Sequence, residues 1–242
     1  MKIIPTLAFA AAMAFPVASF GDDLSEAQIK ELALEAILEN PEIILEAVQL
    51  IERREQERQA NAAASVLSQN RDALENDPNA PVLGNPDGDV TVVEFFDYNC
   101  PYCRRAKPHI EALLAQDPNV RLVYREWPIL GDGSVFAARA ALASREQGKY
   151  EEFHWAMMGM QGRAEEASVL RIAQDIGLDI AQLRRDMEAP EIDAHIAQST
   201  RLSRSLGFNG TPSFVIGDAL VPGVVEADEL IRLTEVAREA RQ

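Results

Sequence analysis

Cys100 and Cys103 are the only cysteines in a chain of 242 residues, and they stand three apart as Cys100-Pro101-Tyr102-Cys103. Two cysteines placed at random would take that spacing about one time in a hundred, so the pair is itself a signal. The run before it, Val90-Thr91-Val92-Val93-Glu94-Phe95-Phe96, reads as a buried strand rich in β-branched and aromatic residues. The run after it, from Arg104 to Ala115, sets Ala106, Ile110, Leu113 and Leu114 at helical spacing. A CxxC at a strand-to-helix junction puts its first sulfur over the helix N-terminus, where unpaired N–H groups and the helix dipole favour a thiolate over a thiol. That is the chemistry of thiol–disulfide exchange. Metal binding is the rival use of such a pair. A structural zinc site needs four ligands, there is no second cysteine pair, and His109, His154 and His195 lack metal-ligand spacing. No resident metal is expected, although soft thiolates can take copper(I) transiently.

Met1 to about Gly21 has the form of a secretory signal peptide: Lys2 supplies the positive start, Ile3 to Val17 is almost wholly apolar, and small residues sit near Ala18 to Gly21. A membrane anchor is the alternative, but the stretch is short against the roughly 20 residues a span requires. The expectation is a chain exported to a bacterial periplasm, an oxidising compartment where one close cysteine pair reads as a redox centre rather than a scaffold. A formal net charge of -16 argues against nucleic acid or anionic membrane as the main partner. No Ser-His-Asp elbow, phosphate loop or dinucleotide fingerprint occurs, so no cofactor is expected.

After the signal, residues 22–75 read as all-helical. Ser25 with Gln28 fits a capping box, and Ile29, Leu32, Ala33, Ala36 and Ile37 follow at helical spacing. Asn40-Pro41 marks a break, with Asn40 as N-cap and Pro41 at the first position of a second helix reaching about Leu74. Its apolar residues are front-loaded (Ile43, Ile44, Leu45, Val48, Leu50, Ile51) and eight polar residues follow from Glu52 to Gln59. Such helices either pack on their own domain or associate with other copies; apolar residues on more than one face favour association, with the polar run as a stalk. Residues 76–242 form the second domain. Asn76 to Pro81 is turn-rich, and strands are expected at Val82-Leu83, Val90 to Phe96, Val120 to Trp127, Ser213 to Ile216 and Leu220 to Val225. A helical insertion at about 130–206 and a last helix from Glu226 to Ala240 complete an α/β architecture.

This arrangement resembles the thioredoxin fold with a helical insertion, as in the DsbA-like family. The resemblance rests on the CxxC, the lead-in Glu94-Phe95-Phe96-Asp97-Tyr98-Asn99, the insertion, and Gly210-Thr211-Pro212-Ser213-Phe214, which looks like the loop carrying the family's cis-proline. It implies Cys100 as an exposed attacking thiolate, Cys103 as the resolving thiol, and Pro101 and Tyr102 as residues tuning how oxidising the pair is. Thr211 and Pro212 would offer backbone groups to an extended substrate by strand addition, an ordinary trans proline being the alternative. Glu94 would be a buried acid exchanging a proton as Cys103 reacts, or else a surface glutamate on an edge strand. Asp97 reads as a bystander. Phe153, His154, Trp155, Met157, Met158 and Met160 read as helix core, or else as an adaptable client surface.

With its helical N-terminal segment, the chain further resembles the suppressor-of-copper-sensitivity protein C group, on Asn40-Pro41-Glu42-Ile43-Ile44-Leu45-Glu46-Ala47-Val48 and Thr211-Pro212. That implies a homotrimer acting as disulfide isomerase or reductase on cysteine-containing unfolded or misfolded exported proteins, kept reduced by a membrane redox partner. Two other functions remain open: a monomeric DsbA-type dithiol oxidase, and a copper-sequestering or client-holding protein with incidental redox activity.

Overall fold

The computed structural model describes residues 25–240, so the signal peptide expected at 1–21 lies outside the described residues. Contacts divide the chain into two units that meet between Glu57 and Arg58. The first holds helix α1 (Glu26–Glu39) and the start of α2 (Glu42–Glu75). Ser25 caps α1 as expected: its hydroxyl accepts from Gln28 N at 3.4 Å, while Gln28 Oε1 accepts from Ser25 N at 2.9 Å. Asn40 departs from expectation. Its side-chain amide donates to Ala36 O at 3.1 Å, so it closes α1 instead of capping α2. No residue from Ser25 to Glu57 is buried, and Leu38, Leu45 and Ile51 are 71%, 65% and 64% exposed.

The second unit begins inside α2, ahead of the 75/76 boundary read from the sequence. The physical reason is packing: Leu67 and Leu74 are buried with Phe95, Trp127, Leu202, Leu206 and Phe208. Five strands form one sheet: β1 (Val82–Gly84), β2 (Val90–Phe96), β3 (Val120–Glu126), β4 (Ser213–Ile216) and β5 (Ala219–Pro222), in the order β1-β3-β2-β4-β5. Only β2 and β3 pair in parallel, joined through α3 (Pro101–Gln116). Between β3 and β4 lie α4 (Asp132–Ala143), a 3-10 turn (Ser144–Gln147), α5 (Tyr150–Gly159), α6 (Glu166–Asp175), α7 (Ile180–Asp186) and α8 (Pro190–Ser205); α9 (Ala227–Glu239) closes the chain.

Strand β2 is central and every residue in it is buried, which explains why its sequence shows no polar alternation. Alternate side chains still point to opposite faces. Val92 and Phe96 join Leu122, Tyr124 and Phe214 in a core with α3, α9 and the insertion, whereas Val93 and Phe95 join Val123 and Val215 over the end of α2. Glu94 shares the first face, opposite Tyr124 on β3 and Phe214 on β4. On the other face a fully buried Arg125 pairs with Asp77 at 2.6 Å, and His195 on α8 lies 3.4 Å from the same carboxylate.

Candidate active site

The β2–α3 junction presents the cysteine pair. Cys100 is the N-cap residue of α3 in extended conformation, and Pro101 follows inside the first turn, where a missing N–H costs nothing. A hydrogen bond from Cys100 N to Asp97 O at 3.0 Å fixes the turn. The Thr211-Pro212 peptide bond is cis, and its loop covers the first sulfur: Cys100 Sγ donates to Thr211 O at 3.1 Å. Cys100 is therefore only 4% exposed, which corrects the expectation of an open thiol, because the distant proline loop packs against it. Tyr102 points outward at 54% exposure, with the Arg105 guanidinium 5.6 Å from its ring centre.

The two sulfurs have opposite acidities. The Cys100 thiol is lowered to about 6, first by a hydrogen bond from Cys103, then by the Thr211 side chain and the backbone N–H groups of Cys103 and Tyr102; burial opposes these. Cys103, a turn deeper, is pushed well up by burial, by its bond to Cys100 and by the Glu94 charge. Glu94 is buried with neither carboxylate oxygen hydrogen-bonded, and burial followed by the Cys100 charge raises it well above the usual carboxylate range. The edge-strand alternative for Glu94 is thus excluded. The structure brings Cys100, Cys103, Pro101, Tyr102, Glu94, Thr211 and Pro212 to one place, with the Cys100 thiol under the proline loop and a buried acid beneath.

Three further residues hold this geometry. Asp97 is not a bystander: it is buried, and its carboxylate accepts from Asn99 N at 2.7 Å and from Ile129 N and Leu130 N at 2.7 and 2.9 Å. Asn99 clamps the insertion, accepting from Ala164 N at 2.8 Å and donating to Ala164 O at 3.0 Å and Ser134 Oγ at 3.1 Å. A side chain at Gly133 would collide with that Ala164 carbonyl, so only glycine fits there. Arg104 donates twice to Tyr98 O, at 3.1 and 2.9 Å, and once to Gly162 O at 2.7 Å. These partners are more than 30 residues away in several cases, so periodicity could not reveal them; an acid and an amide just before a CxxC were the only local signal. The Met157 and Met158 cluster is buried, as the core reading expected.

A thioredoxin-like sheet interrupted between β3 and β4 by a helical insertion is the fold of DsbA-like thiol–disulfide exchange proteins. The chain belongs to the DSBA-like thioredoxin domain family, whose match covers residues 91–233. It is 71% identical to a thioredoxin-like oxidoreductase from Silicibacter pomeroyi DSS-3, covering 70% of this chain and 98% of that one with a TM-score of 0.70. It is 32% identical to the thiol-disulfide exchange protein alpha-DsbA2 from Wolbachia pipientis, covering 74% and 97% with a TM-score of 0.69. A linker-deleted ScsC from Proteus mirabilis matches at 29% identity over 91% of this chain and 99% of that one, with a TM-score of 0.65. The last match extends into the N-terminal helices and accords with the resemblance read from the sequence. Among curated relatives the chain spans only a small part of each: it is 34% identical to 137 residues of the Na(+)/H(+) antiporter NhaA 3 of Salinispora tropica, 56% of this chain and 21% of that protein. Among the described residues no helix is long and apolar enough to cross a membrane.

Proposed function

We propose that this protein is a disulfide isomerase or reductase of the periplasm, exported by residues 1–21 and working on cysteine-containing unfolded or misfolded proteins. The observation that carries this reading is geometric: Cys100 caps α3 beneath the cis Thr211-Pro212 loop with Cys103 buried a turn deeper, in a chain whose N-terminal helices expose large apolar side chains. Cys100 attacks a client disulfide as thiolate and forms a mixed disulfide. Cys103 then gives its proton to the Glu94 carboxylate and attacks Cys100 Sγ, releasing the client thiolate. Thr211 and Pro212 receive the extended client by strand addition, while Pro101 and Tyr102 tune the stability of the disulfide. Ile129, Leu130 and Val135, 42%, 40% and 37% exposed, offer apolar contact to unfolded chains beside the Asp97-anchored loop.

The apolar surface of α1 and the first part of α2, exposed in the single chain, supports self-association; a trimer is the favoured form. A membrane redox partner would return electrons to the pair, and copper(I) could bind the two thiolates transiently. The test is reactivation of scrambled ribonuclease in a glutathione buffer. Recovery well above buffer alone, lost in Cys100→Ser, is expected. A specific observation favours a second reading, a monomeric dithiol oxidase: a thiolate stabilised to about 6 also stabilises the reduced protein and makes its disulfide oxidising. No isomerase activity, with rapid oxidation of reduced ribonuclease by a monomer, would select that reading.

A further inference from the structure

A second buried acid lies behind the site. Glu126 ends β3, 1% exposed, on the same sheet face as Glu94 and Tyr124. In-register neighbours on adjacent strands sit about 4.8 Å apart, and Tyr124 and Glu126 are separated by about 6.6 Å along β3. Both Glu94 oxygens, the Tyr124 hydroxyl and Glu126 Oε2 are buried without a hydrogen-bond partner. Buried polar groups aimed into a shared space are commonly bridged by water. The other oxygen, Glu126 Oε1, accepts from Tyr150 Oη at 2.8 Å and faces Tyr98 Oη at 3.5 Å. Tyr150, at the start of α5, lines an open cleft with Val82 of edge strand β1, Arg145 and Glu151. The series therefore steps from central β2 to β3 and then to the cleft beside β1, one strand at a time.

We propose that Glu126 is a positioning residue in a proton route that carries the Cys103 proton from Glu94, past Tyr124, to Tyr150 and the cleft beside β1. This rests on the exchange mechanism above. When Cys103 attacks Cys100 Sγ, the new sulfur–sulfur bond forms and the client thiolate leaves with the electron pair of the broken bond. The proton that Cys103 gave to Glu94 then passes outward; in disulfide reduction it returns by the same groups. Glu126 faces Tyr150 from α5, Tyr98 from the lead-in to the CxxC, the charges of Asp97 and Glu94, and on its backbone N the His195 ring of α8. Tyr98 is held in turn by His154 Nδ1 at 3.1 Å, and burial keeps that ring neutral, so the route runs through the two carboxylates and the Tyr150 hydroxyl bonded to Glu126.

The test uses the full chain and a symmetric aromatic disulfide whose coloured thiolate leaves once when Cys100 attacks and again when Cys103 resolves. Glu126→Gln and Tyr150→Phe are expected to leave the first phase within about twofold and slow the second roughly tenfold, less than the hundredfold or more of a group contacting the reacting atom. The pH profile of the second phase is expected to flatten in both variants, a change that a purely structural cluster would not produce. Tyr150→Phe keeps the ring, and so preserves the test if Glu126→Gln fails to fold. An unchanged second phase with an unchanged pH profile in the folded variants overturns the route. Absence of the first phase in the wild-type protein would instead overturn the exchange mechanism on which it rests.

Discussion

Cys100 and Cys103 carry identical side chains three residues apart, yet the first thiol is lowered to about 6 and the second raised well above its ordinary value. Position explains the difference: Cys100 meets donors from Cys103, Thr211 and the first turn of α3, whereas Cys103 is buried near Glu94. Thr211 touches Cys100 in two ways, since its carbonyl accepts from the thiol and favours the protonated form while its side chain favours the thiolate. Thr211→Val keeps the carbonyl and removes the hydroxyl, so the Cys100 pKa is expected to rise, read from the pH dependence of ultraviolet thiolate absorbance; a value that stays put or falls contradicts this. His154 gives a second expectation. Burial first, then the Lys107 charge, lowers it to about 3. Its folded pKa lies below the unfolded value of about 6.5, so the unfolded chain binds the proton first and stability is lost as pH falls from about 6.5 towards 3. Between about pH 7 and pH 5 this group alone costs roughly 2 kcal/mol. His154→Phe should lose about that much less than wild type over the same interval in urea unfolding, whatever its stability at neutral pH. The cysteines, Glu94 and the Thr211-Pro212 pair were legible in the sequence because each sits in a short local pattern. The burial of Cys100, the anchoring by Asp97 and the burial of Glu126 against Tyr150 were not, because they depend on contacts with the proline loop and the insertion.

At the scale of elements, β2 begins and ends where its β-branched and aromatic run does, at Val90 and Phe96. Helix α3 starts earlier than its apolar spacing indicates, at Pro101, because proline at a first helical turn continues the chain into the helix. The span from Ser134 to Leu206 read only as helical with interruptions; its division into five helices and a 3-10 turn follows packing around the core rather than any single turn signal. The long α2 is the instructive case. One uninterrupted helix serves two units, and the polar run from Glu52 to Gln59 spans the change at Arg58 without fixing its position. Only the burial of Leu67 and Leu74 assigns its last turns to the catalytic unit. Leu74→Ala is expected to destabilise that unit by about 2–5 kcal/mol, the range for truncating a buried leucine. A change within about 0.5 kcal/mol, typical of a surface site, would mean that the end of α2 is not part of this core. The Asp77–Arg125–His195 cluster ties the turn after α2 to β3 and α8. Although burial alone would raise it, the His195 ring 3.4 Å away, a hydrogen bond from Asn79 N–H and the Arg125 charge hold the Asp77 carboxyl well below the usual range. Removing the partner of a fully buried guanidinium costs about 3–5 kcal/mol, so Asp77→Ala should shift the denaturation midpoint markedly while leaving Cys100 reactivity near that of wild type. Equal stability of the variant would contradict the buried pair.

For the whole molecule, a redox unit of the DsbA-like family is joined to helices whose large apolar side chains are exposed in the single chain. Apolar surface of this kind is expected to be covered by further copies, and the joint substitution Leu38→Glu and Leu45→Glu should yield a monomer in light scattering. Isomerase activity should then fall while oxidation of simple dithiols persists; a monomeric wild-type protein would remove the basis for assembly. Sequence periodicity revealed this apolar surplus, but which copy covers which face is set by geometry between chains, which no single-chain pattern encodes. The direction of electron flow is similarly a property of the whole redox couple, where about 30 mV is worth about 1.4 kcal/mol. In the proposed exchange, Cys100 attacks client disulfides and Cys103 resolves them. The most direct measurement is trapping: full-length Cys103→Ser incubated with an unfolded, disulfide-containing protein, read by non-reducing electrophoresis and mass spectrometry. A stable one-to-one adduct joined through Cys100 is expected, absent in Cys100→Ser. No adduct in Cys103→Ser, or equal trapping by Cys100→Ser, would contradict it.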